Sequence, residues 1–402
     1  MVALVAYLLL PVTTRVGVPM AVQGQPAAAI ESALTRFQDE NAIPGLCFTV
    51  SCEGKLKYTF QRGYADRERR TPFTTLTRVA LGSISRTATA LAVMHLLTAK
   101  NISLDAPALP YLKLTDVQAK KQVASDDYPK ITFRDLLQHS AGFGPAFNAW
   151  SRPEVAKAFE GTMPSTARQN VVFGLRQPLS YVPGTKAELS NFGYVLLGRL
   201  IEDISGTPYR EYVQSTVFGP LGISRAVLRR SRGPENYQDE AKYYEQPEHT
   251  YPSVFAADHG KGVALMYGGA AYEQADAAAG WVSDSIDLAR LVSAFRTDKA
   301  AQVLSDRMQM EIIRRPEFAG SVAQYKGLGL DVELGQGAVA FREGGALPGG
   351  GGFFSTNFAG VCMTLVINKG IDGRQLPWEI HQELMSAITA IDWSQRKSIL
   401  AL

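Results

Sequence analysis

The chain has 402 residues, 46% of them hydrophobic and 20% charged, with a formal net charge of +3. That length exceeds a single small core and points to two domains, or to one large domain carrying an inserted one. A charge so close to balance supplies no strong field for nucleic acid or anionic lipid, and those partners are set aside.

The chain begins with an apolar run, Val2 to Val12, long enough for a signal-peptide core and too short to span a bilayer. No basic residue precedes it; the first is Arg15. Residues 1–25 are read as a signal or unstructured segment, with a cytoplasmic location favoured over a secreted or periplasmic one. No segment reads as an integral membrane span. Residues 26–42 carry apolar side chains at Ala29, Ile30, Ala33, Leu34 and Phe37, the period of a helix. Ile43-Pro44-Gly45 breaks it. Leu46–Val50 and Leu56–Gln61 are predicted strands around a Glu53-Gly54 turn. Cys47 and Cys52, five apart, are expected on opposite sides of one strand. With Cys362 they make an odd count without ligand spacing, and all three read as small buried hydrophobes.

Next comes LGSISRTATALAVMHLLTAK, residues 81–100. Gly82-Ser83 opens an apolar helix, so Ser83 lies near its first turn. There several N–H groups point outward and the dipole favours negative charge. Those conditions suit an acyl-transfer nucleophile. Serine is also a common helix cap, and this stretch alone favours the cap. Residues 100–260 alternate helical pieces, such as Thr132–Gln138 and Phe192–Ile204, with Pro/Gly-rich loops. The charged, tyrosine-rich stretch 228–262 is expected as a long surface excursion. From Ala275 the pattern changes to an amphipathic helix over Asp284–Arg296. Strand-like runs follow at 328–334, 338–342, 352–355 and 361–368, then a closing helix over Trp378–Ile391.

The expected fold is therefore α+β, an antiparallel sheet flanked by helices with an inserted, mainly helical subdomain. Residues 26–82 and 275–402 form the sheet part and 83–274 the helical part, with a cleft where they meet.

The five histidines show no ligand spacing, so no metal site is expected, and no motif calls for a cofactor. His139, in LLQHSAGFG, reads as a structural hydrogen-bonder rather than a base. There is no G-x-S-x-G elbow and no P-loop. Ser394-Gln395-Arg396-Lys397 matches S-x-x-K beyond the last helix, out of context. The Gly349–Gly352 run is read as a flexible turn in preference to a phosphate cradle.

GSISRTATALAVMHLL, ITFRDLLQHSAGFG, PGTKAELSNFGYVLLGRLIEDISG, GWVSDSIDLARLVSAF and EGGALPGGGGFFS occur in that order. Together they resemble the serine β-lactamase-related superfamily: class C β-lactamases, DD-peptidases, family VIII esterases and transesterases. The resemblance runs from Pro26 to Ile391. It implies Ser83 as nucleophile, followed by Arg86 where the family has lysine. Asn191 is kept, with Leu189 where the family has tyrosine. Glu343 stands where the family has lysine or histidine. The resemblance further implies the backbone N–H groups of Ser83 and Ala346 as oxyanion donors. Arginine holds its proton too tightly to act as a base, and leucine does not titrate. Glu343 is expected in the cleft beside Arg86 and Ser83. Either it pairs with the guanidinium, which is favoured because a nearby arginine lowers a carboxyl pKa, or it is raised and acts as base.

Three functional readings follow. The first is a hydrolase or acyltransferase using Ser83 on a small ester, amide or thioester, without true β-lactamase activity. The second is a catalytically inactive protein that binds a small molecule. The third is a non-hydrolytic enzyme that reuses the pocket. The substrate and oligomeric state are not legible.

Overall fold

A computed structural model describes residues 27–401 apart from 114–125, 145–146, 148–152, 160, 162, 233–238, 296–302, 336–337 and 372–375. The apolar run Val2–Val12 and the rest of segment 1–25 lie outside the described residues.

Helix α1 spans Ala28–Glu40 and buries Ile30, Ala33, Leu34 and Phe37 of the predicted stripe, while Ala29 is exposed. Strands β1 (Gly45–Cys52) and β2 (Lys55–Asp66) follow. Glu53 and Gly54 join them with positive φ at both positions, the geometry a two-residue hairpin turn requires. Helix α2 spans Ser85–Ala99 and α3 Asn191–Ser205. Helix α4 spans Ser285–Ser293, and Asp284 caps it by accepting from the N–H groups of Ile286 and Asp287. The C-terminal strands are β3 (Gln324–Lys326), β4 (Asp331–Gly335), β5 (Ala338–Leu347), β6 (Gly350–Thr356) and β7 (Cys362–Ile367). Helix α5 (His381–Thr389) and β8 (Leu400–Ala401) close the chain.

These strands form one antiparallel sheet in the order β3-β4-β5-β6-β7-β1-β2-β8, with Thr71–Pro72 added beside β2. The N-terminal hairpin and the C-terminal meander join where β1 pairs with β7, from Leu46↔Ile367 to Ser51↔Cys362. The α+β architecture is the expected one. Alternate residues feed two cores. Leu46, Phe48, Val50 and Phe353 pack beneath α1 and α5, while Cys47, Phe354 and Val366 pack beneath the buried helices α2 and α3. Cys47 and Cys52 thus enter opposite cores, and all three cysteines are free thiols. Among the described residues no helix is long and apolar enough to cross a membrane.

Two expectations need correction. Residues 228–262 are not simply a surface excursion. Arg229 and Tyr243 are buried, Arg229 pairs with Glu240 at 2.9 Å, and its guanidinium lies over the Tyr243 ring. The charges neutralise one another inside the fold, so composition misrepresents their exposure. Of the glycine run, only Gly349 lies in the turn between strands β5 and β6. Gly350, Gly351 and Gly352 are strand residues, and a Cβ at Gly352 would lie 2.3 Å from the Leu365 carbonyl oxygen. The glycines are there because backbones approach closely.

Candidate active site

The buried helix α2 is indexed by its polar side chains. Ser85 Oγ accepts from Trp281 N at 3.0 Å, Thr87 Oγ1 donates to the Gly329 carbonyl at 2.9 Å, and Thr89 Oγ1 donates to the Ala277 carbonyl at 2.6 Å. A 3₁₀ turn, Gly82–Ile84, leads into this helix and carries Ser83, which is partly exposed. The Ser83 hydroxyl has no hydrogen-bond partner among the described residues.

Two glycines interlock beneath it. Gly82 adopts φ +54°, and a Cβ there would lie 3.3 Å from Ala346 N. A Cβ on Gly345 would lie 1.9 Å from the Leu81 carbonyl oxygen and 2.8 Å from Ser83 N. Only glycine at 345 admits this approach of strand β5 to the serine turn, which brings the Ser83 and Ala346 amides together.

Arg86, one turn beyond Ser83, donates from Nη2 to Glu343 Oε1 at 2.8 Å and from Nη1 to Asn191 Oδ1 at 3.3 Å. Its guanidinium lies 6.0 Å from the centre of the Tyr194 ring. Asn191 opens α3, where Ser190 Oγ caps the helix by accepting from Gly193 N. Ser190 N in turn donates to His139 Nδ1 at 3.1 Å. His139 has φ 60°, and its carbonyl accepts from Glu188 N and Tyr181 Oη. Burial, and then the positive charge of Arg86, hold its pKa well below the usual imidazole range. It is a neutral structural residue, as its sequence context implies.

Glu343 is buried on β5. Burial raises its carboxyl pKa, and Arg86 pulls in the opposite direction without overcoming it. The expected ion pair is present, but the expected net lowering is not, because the side chain is almost wholly buried. Oε2 has no partner among the described residues, while Oε1 is committed to Arg86.

All five sequence-predicted residues, Ser83, Arg86, Asn191, Glu343 and Ala346, line one cavity of about 510 Å³. Leu189 stands at its wall, 53% exposed. The cavity also contains residues that sequence reading missed: Lys326, Asp331, Arg342, Trp378 and His381. Lys326 and Asp331 pair at 2.6 Å. A lysine before a glycine turn carries no sequence signal of its own. The available clue was the loss of lysine from position 86, which makes each other lysine on the C-terminal strands a candidate. A second cavity of about 510 Å³, lined by Cys52, Cys362, Trp393 and Asp392, lies where β1 ends and β7 begins. Among the described residues no group of three His, Cys, Asp or Glu side chains is placed to hold a metal ion.

Residues 30–382 match the profile of the family described as Beta-lactamase.

The chain belongs to the Beta-lactamase family. Esterase EstB of Burkholderia gladioli is 26% identical over 202 residues, which cover 49% of this chain and 50% of the esterase. The chain thus spans about half the length of that curated relative. Two solved structures superpose over nearly the whole chain. The octameric penicillin-binding protein homologue from Pyrococcus abyssi has a TM-score of 0.69 at 22% identity, covering 92% of this chain and 79% of the homologue. The D-amino acid amidase from Ochrobactrum anthropi SV3, in complex with L-phenylalanine amide, has a TM-score of 0.67 at 22% identity, covering 90% and 98%. At that identity the two structures show a shared fold and nothing finer.

Proposed function

We propose that this protein is a serine acyl-transfer enzyme, a hydrolase or acyltransferase of esterase or transesterase type, acting on a small ester, amide or thioester. The observation that carries the reading is the approach of the Ser83 and Ala346 amides across Gly82 and Gly345, beside an uncommitted serine hydroxyl. Ser83 Oγ attacks the substrate carbonyl carbon, and the developing oxyanion lies between the two amides. Glu343 Oε2 takes the serine proton, because Arg86 cannot and Leu189 has no group that accepts one. Asn191 offers Nδ2 to the substrate, since its Oδ1 already accepts from Arg86. The likeness to an esterase and to an amidase fold supports the same class. The reading does not extend to β-lactam hydrolysis.

The test is a serine-reactive fluorophosphonate with intact-mass readout. Wild type gains one adduct and Ser83→Ala gains none. Equal labelling of both, or of neither, overturns the reading.

A second reading, a non-catalytic binding protein, is favoured by one observation: Arg86 is locked between Glu343 and Asn191. In that case wild type is not labelled. Arg86→Lys, Leu189→Tyr and Glu343→His together then restore esterase activity to an otherwise intact pocket.

A further inference from the structure

Acyl transfer from an alkyl ester or an amide needs a second proton movement, onto the departing oxygen or nitrogen. Neither Arg86 nor Leu189 supplies it. Of the other cavity residues, Arg342 holds its protons as Arg86 does and His381, its pKa lowered to about 4, is neutral near pH 7, whereas Lys326 carries exchangeable protons and lies outside the buried Arg86–Glu343 pair. Its side chain is 30% exposed, and its ammonium meets Asp331 Oδ1 at 2.6 Å.

The placement of Lys326 is built into the fold. Lys326 and Asp331 face each other in the register of β3 and β4. Gly327 N donates to the Leu330 carbonyl and closes the turn between the strands. That turn is pinned to the nucleophile's own helix. Thr87 Oγ1 donates to the Gly329 carbonyl at 2.9 Å, and a Cβ on Gly329 would lie 2.2 Å from Ala90 Cβ. Tyr325 Oη anchors the other side on the Ile313 carbonyl at 2.5 Å. The Lys326 charge lowers the proton affinity of both Glu343 and His139, after the larger effects of burial and Arg86.

Resting on the acyl-transfer reading of Ser83, we propose that Lys326 is the general acid that protonates the leaving group, held in position by Asp331. In acylation the Ser83 Oγ–C bond forms as the serine proton passes to Glu343 Oε2. The bond from the acyl carbon to the leaving oxygen breaks as that oxygen takes a proton from Lys326 Nζ, and a neutral alcohol departs. In deacylation the neutral amine takes a proton from the attacking water. Glu343 returns its proton to Ser83 Oγ as the acyl–Oγ bond breaks. Both groups end in their starting forms, and the net change is hydrolysis. This chemistry assigns a substrate class: esters of ordinary alcohols, or amides, whose leaving groups need a proton.

The experiment compares an ethyl ester with the p-nitrophenyl ester of the same acid, using wild type and Lys326→Arg, which keeps the charge but holds its protons. Acylation is read as kcat/KM. Lys326→Arg is expected to lower kcat/KM for the ethyl ester on the order of 10²-fold, and for the aryl ester, whose leaving group departs as a stable anion, by no more than roughly tenfold. Lys326→Ala is expected to regain ethyl-ester activity with added methylammonium, a rescue that a purely structural lysine would not permit. Fluorophosphonate labelling of Ser83 in each variant reports an intact fold. Equal loss on both esters with no amine rescue, or no loss on the ethyl ester, overturns the role of Lys326 alone. A wild type that is not labelled at Ser83 overturns the acyl-transfer reading and this one together.

Discussion

Arg86 and Glu343, from the second helix and the fifth strand, close a 2.8 Å ion pair with only 6% and 8% of their side chains exposed. Removing one partner leaves the other charge buried and unmatched, which typically costs about 3–5 kcal/mol. Arg86→Met and Glu343→Leu are each expected to fall in that range by urea denaturation. The double variant is expected to cost less than either single one, because no orphaned charge remains. Strictly additive losses would show that the pair is not energetically coupled.

The same carboxyl should control the pH dependence of acylation. Burial lifts Glu343 above the ordinary 4.5 of a glutamate, with Arg86 opposing. A base must be ionised, so kcat/KM for an aryl ester is expected to rise with pH along an acid limb centred above 4.5. Glu343→Gln is expected to abolish that limb and lower the plateau by about 10²–10⁴-fold. A persistent limb in the glutamine variant would assign it to another group.

Gly345 lies where strand and nucleophile turn are closest. A methyl group there would lie 1.9 Å from the Leu81 carbonyl oxygen, so strand or turn has to move. Gly345→Ala is expected to cost about 1–3 kcal/mol by thermal or urea unfolding, the range for overpacking. It should slow fluorophosphonate labelling of Ser83 more than ligand binding, since it separates the two amides. Unchanged labelling would place the oxyanion donors elsewhere.

His381 titrates against the fold. Burial, and then Arg342, lower its pKa from 6.5 to about 4. A depressed folded pKa means that its contribution is present above 6.5 and is lost as pH falls through about 4. The urea midpoint of wild type is expected to drop across that interval, and His381→Gln should drop less. Parallel curves would remove His381 from the acid response.

Much of this arrangement was legible in the sequence, and the reasons can be traced to particular residues. The α1 stripe, the Glu53-Gly54 turn and the alternation in β1 are local patterns, and local sterics enforce them. The meeting of Arg86 with Glu343 was legible because both replace groups in motifs whose flanks are intact. Lys326 and His381 were not, since strand register and helix packing bring them to the cavity rather than any neighbouring residue. Arg229 and Tyr243 show the converse failure. A buried charge with an internal partner looks, in composition, the same as a solvated one.

The interlock of Gly82 with Gly345 also has a consequence for synthesis. The serine turn, Gly82–Ile84, is synthesised well before strand β5, which packs against it. A nascent chain ending before β5 carries Ser83, Arg86, Asn191 and Lys326 without Glu343 or Ala346. On the acyl-transfer reading, such a chain has its serine but no second amide for the oxyanion, and acylation waits for β5.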